Sequence, residues 1–423
     1  MLKEQGNSIT EEWKLYMYLL RCAIRGKEPD ESVVKGFSGI SSQMLWDMAR
    51  NNNQVMLMED YIRKYSKYIN EEKFEHNKPL EFVIICYEIY KCIRRVVEAA
   101  KERGLTFVLF KGCILSNLYP NYIERSSCDT DIFVYREEKE QALNLLQELG
   151  YTELAEKSNP EVTALKYERG RVSHVIELHT CLWEDYEGRR MDILDSMEIT
   201  KRETLINLNV CGFEVTTLGY EQHLIFQLFH IIKHFSLEGV GLKYLADIAL
   251  YVDAYGKYID KDSLWKKLDM LGFSKFSYYI FVICAEFLGM DTDILNGQKI
   301  KMGPEVVDFM QDLLQAGKIY GDKSAGWQIL GMMTPYFTGN RGTSQSKWKR
   351  KLEVVFPRAK DLPDEFAYAK KMKFLLPVAW VHKAVNYLIR WSKYRDIMYN
   401  TSEKLEVAEH RIALMKGLGL LEK

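Results

Sequence analysis

The sequence predicts an α+β protein, with a mixed sheet and its helices near the middle of the chain and helical regions on both sides. Three observations predict it. Apolar residues recur at helical spacing before residue 103 and again after about residue 220. Between these regions the pattern shifts to short runs of β-formers punctuated by glycine. The order there is strand, helix, strand, helix and then two or more strands, which suits one compact α+β unit.

Residues 1–103 read as helical, with clear periodicity in EEWKLYMYLLRCAIR and in EFVIICYEIYKCIRRVVEAAKERG. Ser8 or Thr10 is placed to cap the first of these, and Gly104 to end the last. LTFVLF, bounded by Gly104 and Gly112, reads as a buried strand. CILSNLYP follows as a short helix that ends near Pro120, and CDTDIFV as a second strand. REEKEQALNLLQELG is an amphipathic helix stopped by Gly150. VTALKYE and RVSHVIELHTCLW flank Gly170-Arg171 and read as a hairpin. Residues 105–180 are therefore expected to form a mixed sheet with helices on one face. YEQHLIFQLFHIIKHF and LKYLADIALYVDAYG return to the helical period. Further helices run to the end, broken near GNRGTSQSKWKR and FPRAKDLPDEF, and NTSEKLEVAEHRIALMKG reads as a solvated or docking helix. The organisation expected is a helical region over 1–103, a central domain over 104–218 and a second helical region over 219–423. No fixed-period repeat or low-complexity tract interrupts it.

Composition narrows the function classes. The chain has 423 residues with 47% hydrophobic and 28% charged, the balance of a globular protein with ample core. The formal net charge is −1, so no clustered positive footprint is implied and nucleic acid is an unlikely partner. The cysteines at 22, 86, 92, 113, 128, 181, 211 and 284 form no CxxC pair, which argues against a zinc ribbon or a thioredoxin-like motif. MLKEQGNSITEEW lacks the apolar core of a signal peptide. The longest apolar stretch, around Tyr278–Met290, is interrupted by Glu286 and is too short to span a bilayer. These features predict a cytoplasmic protein with reduced thiols and no membrane partner.

Chemistry concentrates around Asp129-Thr-Asp131 at the mouth of the apolar run Ile132-Phe133-Val134. On a strand, Asp129 and Asp131 would face the same way, roughly 7 Å apart. Two like charges held so close repel, and a cation between them removes that cost. Hard carboxylate oxygens suit Mg²⁺ or Mn²⁺, with substrate phosphates completing the coordination. A lone DxD is also common as a solvated strand end. Here Lys111-Gly112 lies at the turn from the preceding strand to a helix, where a glycine lets a phosphate approach the backbone. Lys111 would add positive charge, and Arg125 would hold a phosphate or pair with the acids. A third acid is offered by Glu177 in HVIELH, which alternation puts on one face with His179.

The run FVLFKGCILSNLYPNYIERSSCDTDIFV followed by VIELHTCLW resembles an uncharacterised bacterial nucleotidyltransferase family with a KG…R…DxD…(D/E)LH pattern, within the polymerase-β-like nucleotidyltransferase superfamily. The resemblance covers roughly residues 80–255. It implies a polymerase-β-like mixed sheet, with Asp129 and Asp131 as the paired metal acids and Glu177 as the third. It also implies transfer of a nucleoside monophosphate from an NTP to an unidentified small-molecule, sugar or protein acceptor, using Mg²⁺ or Mn²⁺. Lys111, Gly112 and Arg125 are the residues it implies for the nucleotide, with Lys111-Gly112 standing where other superfamily members have Gly-Ser. The alternative is a non-catalytic nucleotide- or partner-binding protein on the same fold.

His230 and His234 stand four apart in HIIKH and share a helix face. The run lacks the glutamate of HExxH, so helix packing, cleft lining and metal binding are all open. Lys243 and Asp247 on the next helix are also four apart and join these histidines as possible cleft-lining residues. His179 reads as an orienting or packing residue and belongs to the same possible cleft-lining set. The aromatic residues of YSKY, YEIY and FSYYIF fall at helical spacing and read as core.

Overall fold

The computed structural model describes residues 9–37, 39–69, 80–125, 127, 129–154, 161–183, 193–194, 196–237, 240–319, 368–369, 372–389, 410 and 412–420. The expected breaks at GNRGTSQSKWKR and FPRAKDLPDEF lie outside the described residues, as does most of NTSEKLEVAEHRIALMKG. Two compact units divide the chain: Met1–Asp185 with Arg189–Gly321, and Tyr186–Gly188 with Asp322–Lys423.

The first unit opens with helices α1 (Glu11–Ala23), α2 (Glu31–Lys35), α3 (Ser42–Asn51), α4 (Val55–Tyr68) and α5 (Leu80–Glu102). Asp30 and Ser41 cap α2 and α3 by accepting from the backbone N–H of Ser32 and Met44. Thr10 stands at the N-cap of α1 without a side-chain cap bond. A seven-stranded sheet follows, built from β1 (Val108–Phe110), β2 (Thr130–Phe133), β3 (Thr152–Glu153), β4 (Val162–Arg169), β5 (Val172–His179), β6 (Ile206–Val210) and β7 (Phe213–Thr217). Its spatial order is β3-β4-β5-β2-β1-β7-β6. The β1–β7 and β2–β5 pairs are parallel and the other pairs antiparallel, so the sheet is mixed as the sequence predicts. The expected hairpin is β4–β5, with Gly170 at φ +61° in its turn.

Alternation sorts the two faces. Leu109, Ile132, Ile176, Leu178 and Val215 point to one side, where they join Ile93 and Val96 of α5 and Leu145 and Leu146 of α7 (Lys139–Glu148) in one buried core. Burying each such side chain contributes about 1.5–3 kcal/mol. The opposite side carries Phe110, and this is where the structure differs from a sheet covered on one face. Helix α8 (Tyr220–Leu237) brings Phe226 to within 5.1 Å of the Phe110 ring, because Phe110 also has to leave water. Helices α9 (Leu242–Tyr255), α10 (Lys261–Met270), α11 (Ser274–Leu288) and α12 (Pro304–Ile319) complete this unit. The N-terminal helices are not a separate layer: α1 packs on both α4 and α11, and Arg25 pairs with Asp253 at 2.6 Å. In the second unit the described residues include α13 (Leu376–Ile389), where Ala379 is buried together with Ala369. Among the described residues no helix is long and apolar enough to cross a membrane.

Candidate active site

Register builds the centre of the site. In the parallel β2–β5 pair Asp131 lies opposite Glu177, and Phe133 lies opposite His179. Period-two alternation then puts Asp131, Glu177 and His179 on one face. Their ligand atoms, two carboxylate oxygens and an imidazole nitrogen, all lie within 4.8 Å of one another. His179 Nε2 is 3.1 Å from Asp131 Oδ1 and 3.7 Å from Glu177 Oε2. The His179 ring sits edge-on to Phe110, 5.3 Å between centroids, which fixes its orientation.

Lys111 supplies the counter-charge. Its Nζ donates to Asp131 Oδ1 at 2.8 Å. Asp131 is only 3% exposed. Burial alone would raise its pKa, but Lys111 and His179 outweigh burial and hold it at about 2. Burial likewise works against the Lys111 charge, and Asp131 outweighs it, so the ammonium's pKa is raised. Glu177 has no such cation in contact. Burial, then Asp131 and Asp129, push its carboxyl above the usual range. Asp129 is also raised, by burial and then by Asp131. Three acids thus share one small region, with Lys111 in contact with Asp131 alone, and their proton affinities are pushed apart.

Asp129 stands apart from the tight group. Strand β2 starts at Thr130, so the pleat that would align Asp129 with Asp131 does not extend to it. Asp129 is half-buried and lines a cavity of about 40 Å³ with Tyr90, Cys113, Tyr122, Thr130 and His174. His174 is held between Thr130 Oγ1 at 2.9 Å and the Tyr151 hydroxyl at 2.7 Å, and burial lowers its pKa to about 4.

The turn before α6 (Gly112–Ser116) explains the Lys-Gly pair. Lys111 has φ 56° and ψ −118°, a conformation that costs a residue with a side chain on the order of 1–3 kcal/mol. Gly112 follows because a Cβ there would come 2.6 Å from Ser127 Oγ. Arg125, expected near phosphate or acids, is buried instead against α9. Its Nε and Nη2 donate to Asp247 at 2.7 and 2.8 Å, and its Nη1 to the Gly112 carbonyl at 3.4 Å. Tyr119 donates to the same Asp247 at 2.9 Å. Burial disfavours the guanidinium charge, but Asp247 outweighs it and Arg125 stays protonated. His230 and His234 rings meet at 4.4 Å and both contact Tyr244 of α9. Burial, then Lys111, hold His230 well below the usual histidine range. Lys243 lies near enough to affect both His230 and Asp129. Sequence reasoning missed His223, fully buried, whose Nε2 accepts the Lys111 backbone N–H at 3.3 Å. Its only sequence signal is its place about two helical turns before His230 and three before His234.

A mixed sheet that presents paired carboxylates beside a lysine at a strand-to-helix turn defines a candidate site for a divalent ion and a phosphorylated substrate. Residues 88–289 match the model of the family described as Uncharacterised nucleotidyltransferase. No curated protein matches the chain. Among solved structures, the crystal structure of ANT(2")-Ia in complex with adenylyl-2"-tobramycin is 13% identical, with 44% of this chain and 97% of that chain covered at a TM-score of 0.31. The solution structure of the same antibiotic-resistance factor gives 13% identity, 44% and 89% coverage and a TM-score of 0.31. An antigenic nucleotidyltransferase-like protein from Paracoccidioides brasiliensis is 15% identical, with 44% and 87% covered and a TM-score of 0.30.

Proposed function

We propose that this protein is a metal-dependent nucleotidyltransferase that moves a nucleoside monophosphate from an NTP to a hydroxyl or phosphate of a small-molecule, sugar or protein acceptor and releases pyrophosphate. The observation that carries this reading is Asp131 opposite Glu177 on adjacent parallel strands, with His179 completing a set of ligand atoms within 4.8 Å. The donor set fits a divalent cation. Acids brought together against mutual repulsion and burial are costly by themselves, and a shared cation removes the cost. The two carboxylates suit Mg²⁺ or Mn²⁺, and the imidazole beside them favours Mn²⁺ of the two.

Asp131, Glu177 and His179 would hold such an ion, with Asp129 at the entry to β2 contributing charge or a further oxygen. When bound, divalent ions stabilise the attacking and leaving oxygens of a phosphoryl displacement. The residues of this chain do the rest. Glu177, whose proton affinity is raised and which stays partly open to solvent, accepts the proton of the acceptor hydroxyl. Lys111 presents its ammonium to the triphosphate, where negative charge grows on the departing pyrophosphate. His230, His234 and Lys243 line the approach. A cytoplasmic setting, which supplies NTPs and keeps thiols reduced, belongs to the same reading, and the described cysteines are all free.

Calorimetry with ATP, GTP, CTP and UTP, each with Mg²⁺ or Mn²⁺, tests it. At least one NTP is expected to bind in an ion-dependent way. Asp131→Asn keeps the size of the side chain, loses its charge, and is expected to lower pyrophosphate release by orders of magnitude. If folded protein binds no NTP with either ion, the enzyme reading fails and an interaction module on this fold takes its place.

A further inference from the structure

We propose that His223 is a positioning residue: by accepting the Lys111 backbone N–H it locks the left-handed turn that seats the Lys111 ammonium on Asp131. The Lys111-Gly112 segment is gripped at two points. His223 Nε2, from α8, takes the Lys111 N–H at 3.3 Å, and Arg125, itself anchored on Asp247 of α9, donates to the Gly112 carbonyl at 3.4 Å. Between these points Lys111 holds φ 56°, a value that a residue with a side chain adopts only under constraint. The lysine then reaches across to Asp131 at 2.8 Å.

The chemistry of His223 suits an acceptor and little else. Burial, then Arg125, lower its pKa to about 3, so the ring is neutral at any working pH. With Nε2 accepting, its proton sits on Nδ1, and Nδ1 has no hydrogen-bond partner among the described residues. A fully buried imidazole with one satisfied nitrogen is a poor way to fill a core, where Leu or Phe would pack without a stranded donor. Its contribution is the one bond to Lys111. The ring stands edge-on to Tyr251, 5.2 Å between centroids, which keeps Nε2 aimed at the turn.

The geometry stands by itself, while its meaning for phosphate chemistry rests on the nucleotidyl-transfer reading, so the test uses no substrate. Amine-directed acylation with a mass-spectrometric readout gives the labelling rate of Lys111 relative to the exposed Lys101 on the same protein. His223→Phe removes the acceptor, and the relative rate at Lys111 is expected to rise roughly five- to ten-fold, the equivalent of one lost hydrogen bond. His223→Gln offers an amide oxygen near the position of Nε2 and is expected to keep the rate near that of the wild type. A folded His223→Phe protein with an unchanged Lys111 rate overturns the proposal, whatever the outcome of nucleotide binding. If His223→Phe does not fold, thermal unfolding of Lys111→Gly against Lys111→Ala decides. Both lose the ammonium, only glycine is at ease at positive φ, and Lys111→Gly is expected to melt higher. Equal or reversed midpoints show that the turn is not constrained and also overturn the proposal.

Discussion

His174 sits behind the acid loop and sets how the protein responds to acid. Its two neighbours, Thr130 and Tyr151, are hydroxyls, and both can accept a proton donor. Charging the ring therefore loses no hydrogen bond, and the cost is burial alone. Its folded pKa of about 4 lies below the ordinary histidine value of 6.5. Above pH 6.5 the neutral ring is free of penalty in both states. As pH falls, the unfolded chain takes up the proton first, and stability is lost progressively until pH passes about 4. The loss amounts to about 3 kcal/mol in full. Thermal unfolding midpoints measured from pH 7 to pH 4 are expected to fall, and to fall less steeply for His174→Gln. Parallel pH profiles for the two proteins would place the acid sensitivity elsewhere. Asp131 acts in the same direction at lower pH, because its folded pKa of about 2 keeps its contribution until strong acid.

At the scale of elements, much of the central sheet was readable from sequence. Glycines 104, 112, 150 and 170 punctuate the chain at the ends of β-forming or helical runs, and β1, β2, α7 and the β4–β5 hairpin fall where those runs predict. Only the last three residues of LTFVLF pair as a strand, because the β1–β2 ladder begins at Val108 opposite Phe133. Two features were hidden. Alternation inside β5 puts Glu177 and His179 on one face, but the register that sets Glu177 opposite Asp131 depends on a parallel pairing that no local pattern encodes. The role of Gly112 was hidden too, since its need for space comes from Ser127, beyond α6. Gly112→Ala would press its methyl group on Ser127 Oγ and break the Ser127 bond to the Asp129 carbonyl. It is expected to lower stability by about 1–3 kcal/mol and to weaken ion binding by displacing Asp129. Adding Ser127→Ala should recover part of both, by thermal unfolding and calorimetry. If the second substitution makes no difference, the crowding lies elsewhere.

For the first unit as a whole, the long-range ties carry what local reading could not. Arg125 and Asp247 were legible as charged residues near the site, but not as partners, because six of the seven strands lie between them in sequence. Their ion pair is 5% and 3% exposed and fastens the acid-bearing loop to α9. Asp247→Leu strands a buried guanidinium and is expected to cost about 3–5 kcal/mol. Arg125→Met together with Asp247→Leu should cost clearly less than that, since no unpaired charge is left. Chemical denaturation of the two singles and the double decides, and simple additivity would argue against a direct pair. The position of β1 has a different consequence, for the chain during synthesis. One side of β1 pairs with β2, close by in sequence, while the other waits for β7, where Val108 meets Thr216. Until that hairpin leaves the ribosome, a fully buried apolar strand has an open edge. The nascent protein therefore has a window, open until Thr217 has emerged, in which this edge is exposed to pairing with the wrong neighbour.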